Sequence, residues 1–353
     1  MTHPRIAPRT RQAIRARAPL RLGLAGGGTD VSPYCDRYGG YVLNATIDRY
    51  AYAFIDHIEE DVVEFVALDH DCRWRGGADA PPENPILSLH WGVYRRIMDT
   101  FNGGRNLPLR LTTYSDAPAG SGLGSSSTLV VAMVQAFQEL LSLPLGDYEI
   151  AHLAYVIERI DCGLEGGKQD QYAATFGGFN FMEFHPDDRV VINPLRIKQH
   201  VLAELEASLV LYYTGVSRDS ASIIQEQSRN VSQGKAGAIE AMHEVKEEAL
   251  ILKEALLKGS FDTLAFSMRK GWESKKRMAH NISNQRIDTI LHRATEVGAT
   301  AGKVSGAGGG GFIMFLVDPV RRLDVVRALE AIPGGKLMMP FHFTDLGAQS
   351  WRF

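Results

Sequence analysis

Between residues 116 and 128 the chain reads Asp-Ala-Pro-Ala-Gly-Ser-Gly-Leu-Gly-Ser-Ser-Ser-Thr. Glycines at 120, 122 and 124 let the backbone turn tightly and come close to an anion. Ser125, Ser126 and Ser127 add hydroxyls suited to a phosphate or a Mg²⁺ ion. Residues 108–114 alternate apolar and polar side chains ahead of this loop, the period of a half-buried strand, and residues 128–141 follow it as an apolar helix. Strand, glycine loop and helix in that order make a phosphate cradle. The first N–H groups of a helix have no intrahelical partner, and the positive end of its dipole stands behind them. The loop is neither a Walker sequence, since no Gly-Lys-Ser/Thr follows, nor a dinucleotide G-x-G-x-x-G. Taken alone it also suits an ordinary structural turn.

Two more glycine clusters stand at strand ends. Ala-Gly-Gly-Gly-Thr-Asp occupies 25–30, and Ser-Gly-Ala-Gly-Gly-Gly-Gly occupies 305–311, ahead of an apolar strand. An ionised Asp30 would accept hydrogen bonds from vicinal sugar hydroxyls, or simply cap its turn. Arg21 offers a fixed positive charge, or a solvated arginine on an edge strand. Glu158 sits on the shoulder of a helical face built by Ile150, Leu153, Ala154 and Ile157, where such a residue is ordinarily solvated. Ser217, Arg218 and the helix start near Ser220 form either another anion site or a capped helix.

The 353 residues are enough for two domains with ample cores. A net charge of −3 with 22% charged residues gives no reason to expect a nucleic acid or a membrane as partner. No run of 18 apolar residues predicts a transmembrane helix. Cys35, Cys72 and Cys162 are odd in number and lack CxxC spacing, so free thiols in a reducing cytosol are expected. The eleven histidines form no ligand set. Residues 1–12 read as a loose basic extension.

Alternation predicts strands over 14–24, 40–55 and 62–68, with Tyr41, Tyr50 and Tyr52 in the sheet core. Helical spacing covers 88–101, a stretch opening at 145, and then 235–258, 261–278 and 285–298. A crossing into a second domain is expected near 193–201, a strand over 206–214, and a last strand in the tail after 336.

The 118–127 string resembles the nucleotide loop of the GHMP kinases, which include galactokinase and the homoserine and mevalonate kinases. Two further segments are similar to the family's other motifs: Pro19, Arg21, Gly26, Thr29 and Asp30 to the first, and the 303–317 glycine run to the third. The resemblance implies an α+β, two-domain fold with the nucleotide between the domains, divided at 1–195 and 196–353. It further implies a phosphotransferase using ATP and Mg²⁺, with the nucleotide on Pro118, Gly120, Ser121, Gly122, Leu123, Gly124, Ser125, Ser126 and Ser127. Glu158 and Ser126 would hold the metal. Asp170, in a Lys-Gln-Asp-Gln run beyond a turn with Gly163, Gly166 and Gly167, would be the catalytic base beside Arg21. Gly27, Gly28, Thr29, Asp30, Lys168, Arg218, Gly308 and Gly309 would meet the sugar. Galactokinases carry an acid and a His where this chain has Gly27 and Gly28, which argues against galactose.

Within the family, residues 17–34, 38–48 and 214–222 are most similar to the D-glycero-D-manno-heptose 7-phosphate 1-kinases. Such a substrate requires a second anion site, for which Arg218, Lys168 and Arg49 are the candidates; Lys168 could instead hold Asp170 ionised. A fucokinase-type enzyme and a sugar- and ATP-binding sensor without turnover are the alternatives. The implied partners are a sugar phosphate and ATP in the cytoplasm, and the resemblance is compatible with a homodimer.

Overall fold

The alternation over 14–24 and 40–55 becomes two long antiparallel strands, β1 (Ile14–Ala25) and β2 (Gly40–His57), which form the spine of the molecule. The computed structural model describes residues 13–77, 80–216 and 220–353. One half of β2 pairs with β5 (Leu109–Ser115), the other with β6 (Phe179–Phe184). A short helix, α1 (Tyr34–Tyr38), fills the β1–β2 connection. Beyond β5 lie β3 (Val63–Ala67), parallel to it, and β4 (Cys72–Gly76); β7 (Val190–Pro194) extends the sheet past β6.

Helices α2 (Ser88–Phe101), α3 (Ser125–Leu141), α4 (Asp147–Tyr155) and α5 (Gln169–Phe176) are packed in the first half. Helix α3 is apolar nearly all round, with Val130, Val131, Met133, Val134 and Phe137 fully buried, so it runs through the core.

A four-stranded antiparallel sheet follows in the second half. It is built from β8 (Leu209–Tyr213), β9 (Ala299–Val304), β10 (Phe312–Val317) and β11 (Lys336–Leu337). Around it lie α6 (Gln199–Ser208), α7 (Ser220–Ser232), α8 (Ala236–Lys258), α9 (Phe261–Lys276), α10 (Gln285–Glu296) and α11 (Arg322–Glu330). The last strand, β12 (Gln349–Arg352), crosses back and pairs with the start of β1. Strands up to Pro194 and the returning tail make the first sheet, and one core joins the halves: Leu20, Leu22 and Leu43 pack with Leu211, Leu252 and Met314.

Three sequence expectations are corrected. Residues 206–208 close a helix, and the strand starts only at Leu209. The stretch after 336 is a two-residue strand, with Phe343 held by a lone bridge to Ile47 and the true terminal strand beginning at Gln349. Tyr41, Tyr50 and Tyr52 are half-buried, because alternation fixes which residues share a face and not whether a helix covers it. Strands β4, β6, β7 and β9 were not anticipated. They are short and form because β3, β2, β6 and β10, in that order, offer them an edge.

Candidate active site

Gly122 and Gly124 adopt left-handed backbone at φ 79° and 78°, and α3 starts on the residue after the second. That conformation favours glycine, and at Gly122 a Cβ would also collide with the Ser305 carbonyl. The 305–311 glycine cluster is docked on the 120–124 loop through that contact. Phe312 N–H donates to Ser121 O at 2.8 Å, and Ser305 Oγ donates to Gly122 O at 2.9 Å. Gly120, Ser121, Gly122, Gly124, Ser125, Ser126 and Ser127 line a cleft of about 490 Å³ together with Gly27 and Gly28 of the first cluster. The expected nucleotide residues Pro118 and Leu123 hold the loop from behind instead. Pro118 O accepts from Ser121 N–H, and the carbonyl of buried Leu123 accepts from Arg21 N–H at 3.1 Å.

Arg21 and Asp170, 149 residues apart, meet in this cleft. Arg21 Nε donates to Asp170 Oδ1 at 2.7 Å and its Nη1 to Gly122 O at 2.6 Å. The guanidinium, from β1, is therefore tied both to the cradle and to the carboxylate at the start of α5. With Asp170 one-fifth exposed and the arginine almost fully buried, the carboxylate is held in one orientation and still reachable from the cleft. A charge beside a proton acceptor, next to a phosphate cradle, is the arrangement that phosphoryl transfer needs.

Glu158 differs from its expected position on a helix shoulder. After α4 the helix widens into a π turn, Val156–Asp161, and Glu158 is fully buried inside it. Ser126 Oγ donates to its Oε1 at 2.7 Å, Gln171 Nε2 to its Oε2 at 2.7 Å, and Arg159 lies 3.3 Å from Oε1. The hydroxyl and the carboxylate are hard oxygen donors of the kind Mg²⁺ takes, and Ser126 faces the cleft. Among the described residues no three His, Cys, Asp or Glu side chains gather as a metal site. Ser126 and Glu158 are the residues that would hold a Mg²⁺ here.

Asp30 lines the cleft but is already an acceptor three times over, from Gly28 N–H at 3.0 Å, Gln169 N–H at 3.1 Å and Gln169 Nε2 at 3.1 Å. Thr29, expected to meet the sugar, is buried and bonds the Gly26 and Tyr41 carbonyls, bracing the turn. Lys168 is paired with Asp188 and lies 3.8 Å from Asp36, off the cleft wall. Its neighbour in sequence points the other way because α5 begins between them. Arg49 bonds the Asp48 and Pro340 carbonyls, also off the cleft. Gly308 and Gly309 pack on the Ile282 backbone, and Gly306 and Ala307 line the cleft in their place. Ser217 and Arg218 lie outside the described residues.

Arg159, Gln169, Gln227 and Lys275 also line the cleft, and sequence reasoning passed over all four. Arg159 donates to Ser127 Oγ at 3.2 Å and to Glu165 O at 3.1 Å, fastening the glycine turn at 163–167 to the cradle. Two of the four left a readable trace. Gln227 falls between Ile223 and Val231 on the inward stripe of α7, and Lys275 follows Met268 and Trp272 on that of α9. A polar residue on an apolar stripe signals a buried partner or a ligand.

The chain belongs to the GHMP kinase family, ATP-dependent phosphotransferases whose fold and glycine cradle it carries. The family's "GHMP kinases N terminal domain" matches residues 88–178 and its "GHMP kinases C terminal" domain residues 252–333. The D-glycero-alpha-D-manno-heptose 7-phosphate kinase of Campylobacter jejuni is 47% identical, over 97% of this chain and 99% of that one. A crystal structure of a D-glycero-D-manno-heptose 1-phosphate kinase from Bacteroides thetaiotaomicron superposes with a TM-score of 0.80 at 48% identity, covering 96% of this chain and 99% of that one. The L-fucokinase/L-fucose-1-P guanylyltransferase of Bacteroides fragilis is 25% identical over 92% of this chain but only 37% of its own length.

Proposed function

We propose that the chain transfers the γ-phosphoryl group of ATP to the anomeric hydroxyl of D-glycero-D-manno-heptose 7-phosphate, giving the 1,7-bisphosphate for nucleotide-activated heptose in the cytoplasm. The observation that carries this reading is the full-length 47% likeness to a heptose 7-phosphate kinase, joined to an intact Asp170–Arg21 pair beside the cradle. ATP lies with its phosphates on residues 120–127, where glycine N–H groups and the α3 N-terminus receive the charge. Ser126 and Glu158 would hold Mg²⁺, which would supply charge neutralisation for the phosphates. Asp170 accepts the proton of the sugar hydroxyl. The oxygen–phosphorus bond then forms as the bond to the β,γ-bridging oxygen breaks, and ADP leaves. Arg21 orients Asp170 and faces the developing phosphoryl charge. Gly27 leaves room beside Asp30 for the sugar.

The test is ADP release with Mg-ATP against heptose 7-phosphate, heptose 1-phosphate, mannose 6-phosphate, fucose and galactose, with Glu158→Ala as control. Turnover on heptose 7-phosphate alone, lost in the control, is expected. Turnover on fucose with none on heptose 7-phosphate would leave a kinase and overturn the substrate assignment. ATP and sugar binding without ADP release would favour a sensor.

A further inference from the structure

Lys275 is buried on the apolar stripe of α9, in the second half of the chain and outside every glycine cluster. Its Nζ donates to Gly27 O at 3.2 Å and to Gly306 O at 2.7 Å, bridging one glycine turn from each half of the molecule. An ammonium has three N–H groups, and for the third no acceptor is found among the described residues. The side chain lines the cleft.

Two features of its surroundings point to an occupant. A Cβ on Gly27 would stand 3.5 Å from Lys275 Nζ and 3.6 Å from Gln169 Nε2, so the missing side chain leaves a niche flanked by two donors. Gln227 of α7, 2% exposed and on the same wall, has an Nε2 without an acceptor among the described residues. Donors left over in a buried, roomy, polar site want an oxygen-rich ligand. A strut between two carbonyls needs no charge, whereas burying an ammonium costs several kcal/mol, which Asp30 and Asp170 offset here in part.

We propose that Lys275 is a substrate-contacting catalytic residue whose third N–H is donated to an oxygen of the acceptor sugar lying over Gly27, with Gln227 Nε2 donating to a second oxygen of the same sugar. The inference rests on the sugar-kinase reading above. It makes acceptor binding depend on the second half of the chain, and it couples sugar occupancy to the contact between the Gly27 and Gly306 turns.

The ammonium faces Asp30 and Arg21 from β1 and its following turn, Asp170 from α5 and Lys303 from β9, with Glu248 of α8 on a small cavity behind it. Burial pulls its pKa down to about 8, with Asp30 raising it, Arg21 lowering it and Asp170 raising it. The donating form is the protonated one, so it is lost as pH rises through that value. The wild-type kcat/KM for the sugar, which reports the free enzyme, is expected to fall on a basic limb near pH 8.

The experiment compares wild type with Lys275→Met, first on heptose 7-phosphate and, if wild type prefers another sugar, on that sugar. Wild-type failure on heptose 7-phosphate overturns the substrate assignment and leaves the lysine comparison intact. Expected for Lys275→Met is a kcat/KM for the sugar at least 30-fold lower (~2 kcal/mol), a Kd for Mg-ATP within threefold, and no basic limb. A kcat/KM within threefold of wild type, or equal losses in sugar and ATP affinity, would reduce Lys275 to a loop strut and sink the proposal. Should the variant not fold, the wild-type profile decides: a limb near pH 8 supports the contact, and a level profile from pH 7 to 9.5 overturns it.

Discussion

Asp170 and Arg21 are joined by a 2.7 Å ion pair in which the arginine is nearly buried, so the carboxylate has one orientation and one open side. An amide at 170 keeps the shape and an acceptor for Arg21 but removes the proton acceptor. Asp170→Asn is expected to lower kcat by roughly 10²–10⁴-fold, the usual share of a positioned general base. Mg-ATP affinity, measured by calorimetric titration, should change little, because the cradle is made of backbone and serines. Normal turnover in this variant would remove Asp170 from the role of base. Glu158 works at the same scale by a different route. Its two oxygens are shared between Ser126 and Gln171, so the carboxylate is held in one orientation.

At the scale of elements, the site depends on how α2 and α3 seat against the first sheet. His90 of α2 donates to or accepts from Thr113 of β5 at 2.8 Å, and its Nδ1 has no partner among the described residues. Burial, helped by His70, drives its pKa down to about 3. The folded value lies below the unfolded one of 6.5, so the unfolded chain binds more protons between these values. Stability therefore rises with pH across that window and is lost as pH falls through it. At roughly 1.4 kcal/mol per unit this is a penalty of a few kcal/mol in acid. Urea midpoints of wild type should drop steeply between pH 6.5 and 4, and His90→Leu should flatten that slope. An unchanged slope would place the acid sensitivity elsewhere. The π turn belongs to this scale as well: one wider helical turn is what moves Glu158 from the helix surface into contact with Ser126.

At the scale of the whole molecule, the two sheets are not independent. Leu20, Leu22 and Leu43 of the first pack against Leu211 and Met314 of the second, and the tail closes the circuit. Residues 344–348 run behind α5, where Ala348 N–H donates to Thr175 O at 3.2 Å, before β12 joins β1 and Arg352 pairs with Glu139 of α3 at 2.6 Å. Deleting residues 349–353 bares the edge of β1 and removes that ion pair. A fall in Tm of at least about 3 °C is expected, given the few degrees that each kcal/mol moves a domain of this size. The cleft lies elsewhere, so kcat at 25 °C should stay within a few-fold. An unchanged Tm would show the terminal strand to be dispensable.

The glycine clusters were legible in the chain because they depend on local chemistry, and the kinase class was legible through the family resemblance that those clusters carry. A positive φ demands glycine, a helix start attracts phosphate, and both leave their mark within a dozen residues. What the sequence could not decide was which charges face the cleft. Lys168 stands two residues from Asp170 and turns away to Asp188, whereas Lys275, about a hundred residues on, reaches Gly27 and Gly306. In sequence Lys275 resembles its exposed neighbours Lys270 and Arg277. Only the packing of α9 against β9 and the first glycine turn buries one ammonium and leaves the others in water. A side chain's partner across space is set by how elements are packed, and the period of a single helix carries no record of it.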